Sequence, residues 1–425
     1  VPTAGYLLGL AMVFGTWNAF GDIPRWPAAA FAWGAGLLLW PTAGTLARRQ
    51  GLMLAGGGML GLIIAWAQGA TLDWGRIFGA NVPLLIMLAG VSFLRLAIPM
   101  DAGESARQNA TGPRALRGTV LSTHLFGAVI NLSAVFITGD HMQRNGRLTR
   151  RQATVITRSF SSASFWSPFF AAMATVLIYA PGSSPTRLMA IGLPLAVIAL
   201  LVTLLDRDTH DDAGFVGYPI RLGTLWLPGL LALAVLSLHQ WHPEWSVLAM
   251  IAVLGPAAAV IRLSGQPQRL VPVMHHHVGH KLPRMVNELW LFLSAGVLAG
   301  GLSSVLTVLG NDWLPFTSFG GVEAAITLAL LILASVIGVH PAASIAVLGT
   351  VLMPVTDDPN LLGATFLAAW AIGINASPLS GLNLAVAGHY DLRSRNLLFW
   401  NAGYTVIMYL AACAVLGLYA VLQAM

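Results

Sequence analysis

Long apolar runs separated by short polar stretches fill almost the whole chain. A helix needs about 20 apolar residues to cross the hydrocarbon core of a bilayer. Eleven runs reach that length: 5–21, 27–46, 51–70, 79–98, 152–180, 185–205, 223–241, 245–263, 286–309, 362–390 and 397–421. Two further runs, 118–138 and 321–353, do not fit as single straight spans. The first is barely long enough, and the second is too long and is interrupted by "VHPAA". Inside two of the eleven spans the apolar pattern fails partway: "SFSSASFWSP" (Ser159 to Pro168) and "INASPLSGLN" (Ile374 to Asn383).

Basic residues orient the runs, because cytoplasmic loops hold an excess of Lys and Arg. With "ARRQ" (Ala47 to Gln50) inside, two more loops belong inside. One holds Arg107, Arg114 and Arg117; the other holds Arg144, Arg147, Arg150 and Arg151. They flank run 118–138, which is therefore read as a re-entrant hairpin turning near "INLSA". Run 321–353 lies between "NDWLPFTSFGG" and "VTDDPNLLG", neither of which has Lys or Arg. It is read as a second hairpin, entering from outside and turning at "VHPAA". Most of the 22 Lys and Arg then lie inside, and only Arg25, Arg76 and Arg187 lie outside. The N-terminus is cytoplasmic and the C-terminus outside, in a bacterial inner membrane. The first run lacks a basic leader and a cleavage site, and reads as a retained helix.

Composition agrees. Of 425 residues, 56% are hydrophobic and 9% charged, with mean hydropathy +0.75, whereas soluble domains carry roughly 25% charged residues. The fold class is an all-α polytopic membrane protein of about eleven transmembrane helices plus two re-entrant hairpins. The net charge of +6 is accounted for by orientation. A nucleic-acid partner would need a soluble basic face with interleaved aromatics. The single cysteine, Cys413, excludes internal disulfides and Cys-based zinc sites.

Helix, hairpin, broken helix and helix occur twice with opposite orientation. Residues 1–78 are N-terminal helices, and 79–205 form a first repeat with hairpin 118–138 and broken helix 152–180. Residues 206–285 are connecting helices and a basic cytoplasmic loop. A second repeat, 286–425, has hairpin 321–353 and broken helix 362–390. Inverted repeats with discontinuous helices build many secondary transporters, whose sites lie near mid-membrane where the breaks meet. Irregular backbone at that depth must be buried in protein or line a cavity.

The expected solute-binding set is therefore Asn131 and Ser133 at the first tip, and His340 and Ser344 at the second. Ser162, Ser164 and Ser167 come from the first break, and Asn375, Ser377, Ser380 and Asn383 from the second. Asn131 and Asn375 are expected to ligate a coupling Na⁺, and His340 to ligate it or to carry a coupling proton. Asn131 and His340 have structural readings too, as caps of their turns. Arg158 reads as a side chain snorkelling to the cytoplasmic interface. No acidic residue lies in the middle of a span, against a carboxylate proton relay. There is no P-loop and no catalytic or metal-ligand set in register, so an enzyme is not expected.

The layout of eleven helices and two opposed hairpins resembles the ion transporter superfamily, and in architecture the divalent anion:sodium symporter family. That family carries a Ser-Asn-Thr triplet at each tip. Here the tips read Asn131-Leu132-Ser133 and His340-Pro341-Ala342-Ala343-Ser344, so the second lacks it. The resemblance implies a homodimer. A scaffold would hold still while the hairpins and broken helices move as an elevator-like transport unit.

The expected function is secondary active transport of a small polar, anionic solute, coupled to Na⁺, with membrane lipid as the surrounding partner. The rival is a non-transporting envelope-biogenesis or lipid-handling membrane protein. Only the tract "HHHVGH" (His275 to His280) leans that way, and that tract otherwise reads as a solvated linker.

Overall fold

The computed structural model describes residues 2–21, 23–97, 110–206, 214–219, 226–310 and 315–425. The chain forms two compact units, each assembled from three stretches. The first is 1–98, 230–315 and 346–354; the second is 99–229, 316–345 and 355–425.

The first unit opens with α1 (Pro2–Phe20), α2 (Trp26–Leu39), α3 (Thr45–Ala67), α4 (Trp74–Gly79) and α5 (Val82–Ala97). A short 3₁₀ turn, Trp40–Thr42, ends α2 at Pro41, a residue that cannot donate to the helix ladder. The second unit starts with β1 (Ala110–Thr111), α6 (Gly112–Ile130), α7 (Ser133–Met142) and α8 (Arg150–Ser162). It continues with α9 (Ala171–Tyr179), α10 (Pro185–Leu205) and β2 (Val216–Gly217), which pairs antiparallel with β1. Next come α11 (Trp226–Trp241), α12 (Val247–Ser264), α13 (Pro267–His276) and α14 (Val286–Leu309). The chain ends with α15 (Gly321–Val336), α16 (Pro341–Leu352), α17 (Pro359–Ala376), α18 (Gly381–His389) and α19 (Ser394–Ala424).

Among the described residues, seven helical stretches are long and apolar enough to cross a membrane. They are Thr45–Ala67, Trp74–Ala97, Pro185–Leu205, Val247–Ser264, Pro267–Leu309, Pro359–His389 and Ser394–Gln423. Several of the eleven apolar runs contribute shorter helices. Pro41 trims run 27–46, and run 152–180 is divided between α8 and α9.

In the first unit, α3 packs on α14 and α5 on α12 through glycines. A Cβ on Gly301 would stand 2.1 Å from the Gly58 carbonyl oxygen, and one on Gly255 would stand 2.1 Å from that of Gly90. Small residues of this kind let spanning helices approach backbone to backbone. Two stretches read as loops are helical. "ARRQ" lies in the first turns of α3, and "HHHVGH" runs from α13 into a π-helical turn, His277–Lys281. His277 is buried there, bonded to Ser92 Oγ at 2.8 Å and lying against Phe93. The tract is therefore not a solvated linker: its third histidine is part of the packing.

The second unit holds the hairpins' turns and both breaks. α6 and α7 fold back on each other, with Thr123 and Thr138 hydroxyls bonded at 3.2 Å and Thr119 Oγ1 3.7 Å from Met142 Sδ. Residues 115–119 and 142 thus lie at one end of the pair, and the turn at Asn131 lies at the other. α8 starts at a capping box, Thr149 with Gln152. Gln152 also donates to the Met142 and Val216 carbonyls at 3.3 and 3.0 Å. That ties the exit of the hairpin to the two-stranded sheet.

Candidate functional site

The first break lies between α8 and α9. Pro168 has no N–H and pushes the residue before it out of the helical region. The chain passes through a 3₁₀ turn, Ala163–Phe165, and resumes as α9 at Ala171. The hairpin tip holds this segment from outside it. Asn131 adopts φ 50° and donates from Nδ2 to the Phe169 carbonyl at 3.4 Å. Ser167 donates to the Ala128 carbonyl and accepts from Phe169 N–H at 3.2 Å. From the other side α10 presses close, since a Cβ on Gly192 would stand 1.9 Å from the Phe165 carbonyl oxygen.

A histidine that the sequence reading passed over completes this region. His124, on α6, is 5% exposed. Its Nδ1 lies 2.7 Å from Ser162 Oγ, and its Nε2 accepts from Trp166 Nε1–H at 3.2 Å. Ser162 donates its own proton to the Ser159 carbonyl at 2.8 Å. With Nε2 accepting and the Ser162 proton committed, Nδ1 must carry the hydrogen. The relay Trp166 to His124 to Ser162 to Ser159 thus fixes one neutral tautomer.

The second break lies between α17 and α18. Ser377, before Pro378, is extended (φ −89°, ψ 122°), as the residue before a proline tends to be. Ser380 caps α18, accepting from Asn383 N–H at 3.1 Å and donating to the Ile374 carbonyl at 2.7 Å. Asn383 Nδ2 then reaches back to three carbonyls: Ile374 at 3.2 Å, Asn375 at 3.1 Å and Ser377 at 2.8 Å. The carbonyls freed by the break are therefore met by the protein itself.

The two breaks meet. Asn375 Nδ2 donates to Ser161 Oγ, which donates to the Arg158 carbonyl at 3.1 Å. Around this junction several buried side-chain atoms have no hydrogen-bond partner: Ser159 Oγ, Ser164 Oγ, Asn375 Oδ1 and Asn383 Oδ1. A buried polar atom left unpaired costs about 1–3 kcal/mol, so each of these four oxygens calls for a water, an ion or a ligand. All four are neutral oxygens, the kind of atom that ligates a hard monovalent cation.

Arg158 does not snorkel. It is 2% exposed and every nitrogen of its guanidinium is engaged. Nε donates to Asn401 Oδ1 at 2.7 Å, Nη2 to the Trp400 carbonyl at 2.8 Å, and Nη1 pairs with the Asp206 carboxylate. The guanidinium carbon lies 4.9 Å from the centre of the Tyr404 ring. Sequence position put Arg158 near a membrane end, but the α8–α10–α19 packing surrounds it with acceptors. Asp206 begins the acidic stretch "DRDTHDD" (Asp206 to Asp212), of which 207–212 lie outside the described residues.

The remaining expected site residues bond within their own turns. His340, half-buried, accepts from Ala342 N–H on Nδ1 at 3.1 Å and stands edge-on to the Trp370 ring at 5.5 Å. It caps the start of α16. Ser344 donates to the Pro341 carbonyl at 3.1 Å, within its own helix. Ser133 opens α7. Ser377 Oγ accepts from Leu379 N–H at 3.3 Å. Among the described residues no group of three His, Cys, Asp or Glu side chains is placed to hold a metal ion.

No family model and no curated protein matches the chain. Among solved structures it is similar to the crystal structure of the Alcanivorax borkumensis YdaH transporter, described as having an unusual topology. The TM-score is 0.57 at 16% identity, over 87% of this chain and 98% of that one. The likeness is one of fold, and it extends over nearly the full length of both chains.

Proposed function

We propose that the protein is a secondary active transporter of a small polar, anionic solute, working in a bacterial inner membrane as a homodimer. The observation that carries this reading is the junction of two broken helices, with Ser159 Oγ, Ser164 Oγ, Asn375 Oδ1 and Asn383 Oδ1 buried there without partners. Breaks that do no more than kink a helix would leave no such set. The fold shared with a transporter supports the reading without naming a solute.

The coupling ion is Na⁺, held by Asn375 Oδ1 and Asn383 Oδ1, with the serine hydroxyls of the first break completing the shell. In this reading Asn131, whose Nδ2 donates to the Phe169 carbonyl, also takes part in binding the solute and the ion. The hairpins and broken helices move as an elevator-like body between the two faces. No covalent step is involved.

Uptake of candidate anions into proteoliposomes, with and without an inward Na⁺ gradient, tests both parts. Asn375→Ala and Asn131→Ala are expected to abolish or severely reduce uptake. Wild-type rates in both would sink the site assignment, and uptake indifferent to Na⁺ would sink the coupling. Labelling residues 101–117 and 139–151 on opposite faces of the membrane would remove the first re-entrant hairpin and the mechanism with it.

A further inference from the structure

A second concavity lies wholly within the first unit, far along the chain from both breaks. It has a volume of about 520 Å³ and is lined by Pro24, Arg25 and Trp26 at the start of α2, and by Asp73, Gly75 and Arg76 at α4. Pockets of this size, about 300–1,000 Å³, are those that hold small ligands. Neither guanidinium makes a hydrogen bond or ion pair among the described residues. The Asp73 carboxylate does not pair with them. Its Oδ1 accepts from Arg76 backbone N–H at 3.0 Å and starts the short helix.

Two further observations identify the surroundings. Trp26, which lines the concavity, and Trp74, between its Asp73 and Gly75 in sequence, are 61% and 51% exposed, as expected of aromatic residues at the level of lipid headgroups. Arg25 and Arg76 are also two of the three arginines in loops that the charge pattern reads as outside, where cations are disfavoured. Two exposed guanidiniums without an ion-pair partner among the described residues line one cavity, and an anion between them offsets their mutual repulsion. Guanidinium is the group best matched to phosphate oxygens, which it binds in bidentate fashion. Two guanidiniums and one carboxylate leave the described lining with a net charge of +1, matching the single negative charge of a phosphodiester.

We propose that this concavity is a binding site for the phosphodiester headgroup of an anionic phospholipid such as phosphatidylglycerol. Arg25 and Arg76 hold the phosphate, and Trp26 and Trp74 lie at the glycerol and upper acyl level. The site is independent of the transport reading.

The test uses the purified full-length protein in detergent and measures binding of three probes: short-chain phosphatidylglycerol, short-chain phosphatidylcholine and inorganic phosphate. Phosphatidylglycerol is expected to bind best, and Arg25→Gln and Arg76→Gln are each expected to weaken it about tenfold or more. Asp73→Asn preserves an N-cap-competent side chain while raising the lining charge, and is expected to tighten binding. It also covers the case in which an arginine variant fails to fold. Arg262→Gln, an exposed arginine in another part of the chain, is expected to change nothing. Equal binding of phosphatidylcholine, or of inorganic phosphate, would overturn the assignment to an anionic lipid. Wild-type binding by the arginine variants, loosened binding by Asp73→Asn, or an equal loss in Arg262→Gln would overturn the site.

Discussion

Replacing Asn383 separates its two ends. Its amide nitrogen serves three carbonyls at the end of α17, at 2.8 to 3.2 Å, while its Oδ1 has no partner. The residue is wholly buried. Asn383→Asp keeps the shape and the oxygen but puts an acceptor where two N–H groups stood. Each buried acceptor left unpaired costs about 1–3 kcal/mol. Two hydrogens shared over three carbonyls amount to about two bonds, so the expected loss is about 2–4 kcal/mol once the break relaxes. Asn383→Ala loses the same bonds and adds a small cavity, at a similar total. Both variants should show an apparent Tm several degrees below wild type in the same detergent. If Asn383 acted only as a ligand through Oδ1, Asn383→Asp would instead melt like the wild type and bind a cation at least as well. An Asn383→Asp protein with an unchanged melting temperature would therefore refute the claim that this side chain closes the broken helix.

Three other perturbations test the packing. Gly192→Ala puts a methyl 1.9 Å from a backbone carbonyl, and should lower stability by about 1–3 kcal/mol or more; a wild-type melt in Gly192→Ala would contradict the close approach of α10. Arg158→Ala takes the guanidinium from the Asp206 carboxylate and from Asn401, and should cost about 2–4 kcal/mol because the pair is largely buried. Asp206→Asn, which leaves the bonds of Arg158 to Asn401 and Trp400 intact, should cost less, and thermal melts of the two variants decide the order. Arg147→Ala removes the pair with Asp391, whose side chains are 71% and 69% exposed; a pair so open to solvent is worth about 0–1 kcal/mol, so its melt should stay close to the wild type.

Both breaks were legible in the sequence because Pro168 and Pro378 stand among Ser and Asn inside apolar runs, a combination a continuous helix does not tolerate. The turn near "INLSA" was legible from the basic loops on both sides of run 118–138. The side chains' tasks were not. Ser380, Asn383, Ser167 and His340 carry the same donors and acceptors whether they face a solute or a backbone group. Only the folded geometry shows that they bond carbonyls and N–H groups freed by the breaks and turns. His124 was missed for a related reason. A lone histidine in an amphipathic stretch carries no spacing signal, and its partners Ser162 and Trp166 lie at the end of α8 and in the break beyond it. Arg158 was misjudged because position relative to a membrane end says nothing about a partner, Asn401, far away in sequence. The helical "HHHVGH" tract was read as a loop from composition alone, although Val273, Met274 and Val278 give it an apolar side to pack.

The two breaks are alike in sequence but are held differently, and the difference bears on how the site works. The second is closed from within: Ser380 and Asn383, both at the start of α18, meet the carbonyls that α17 leaves open. Its hydrogen bonds stay within α17 and α18, and the turn of the second hairpin packs beside it: a Cβ on Gly338 would stand 2.6 Å from Leu379 Cδ1. The first is closed from outside, by Asn131 and Ala128 at the tip of the α6–α7 hairpin and by the His124 relay from α6. Any displacement of that hairpin must therefore unpair the Phe169 carbonyl and the Ser167 hydroxyl. Ser164 lies in that same segment, and Ser161, which binds Asn375, is one turn before it. The junction thus lies between a break tied by hydrogen bonds to a hairpin tip and a break whose own residues close it. In the proposed transport reading, a solute or ion that bridges Asn375 and the serines of the first break would favour the state in which both breaks are closed, a differential affinity of the kind alternating access requires.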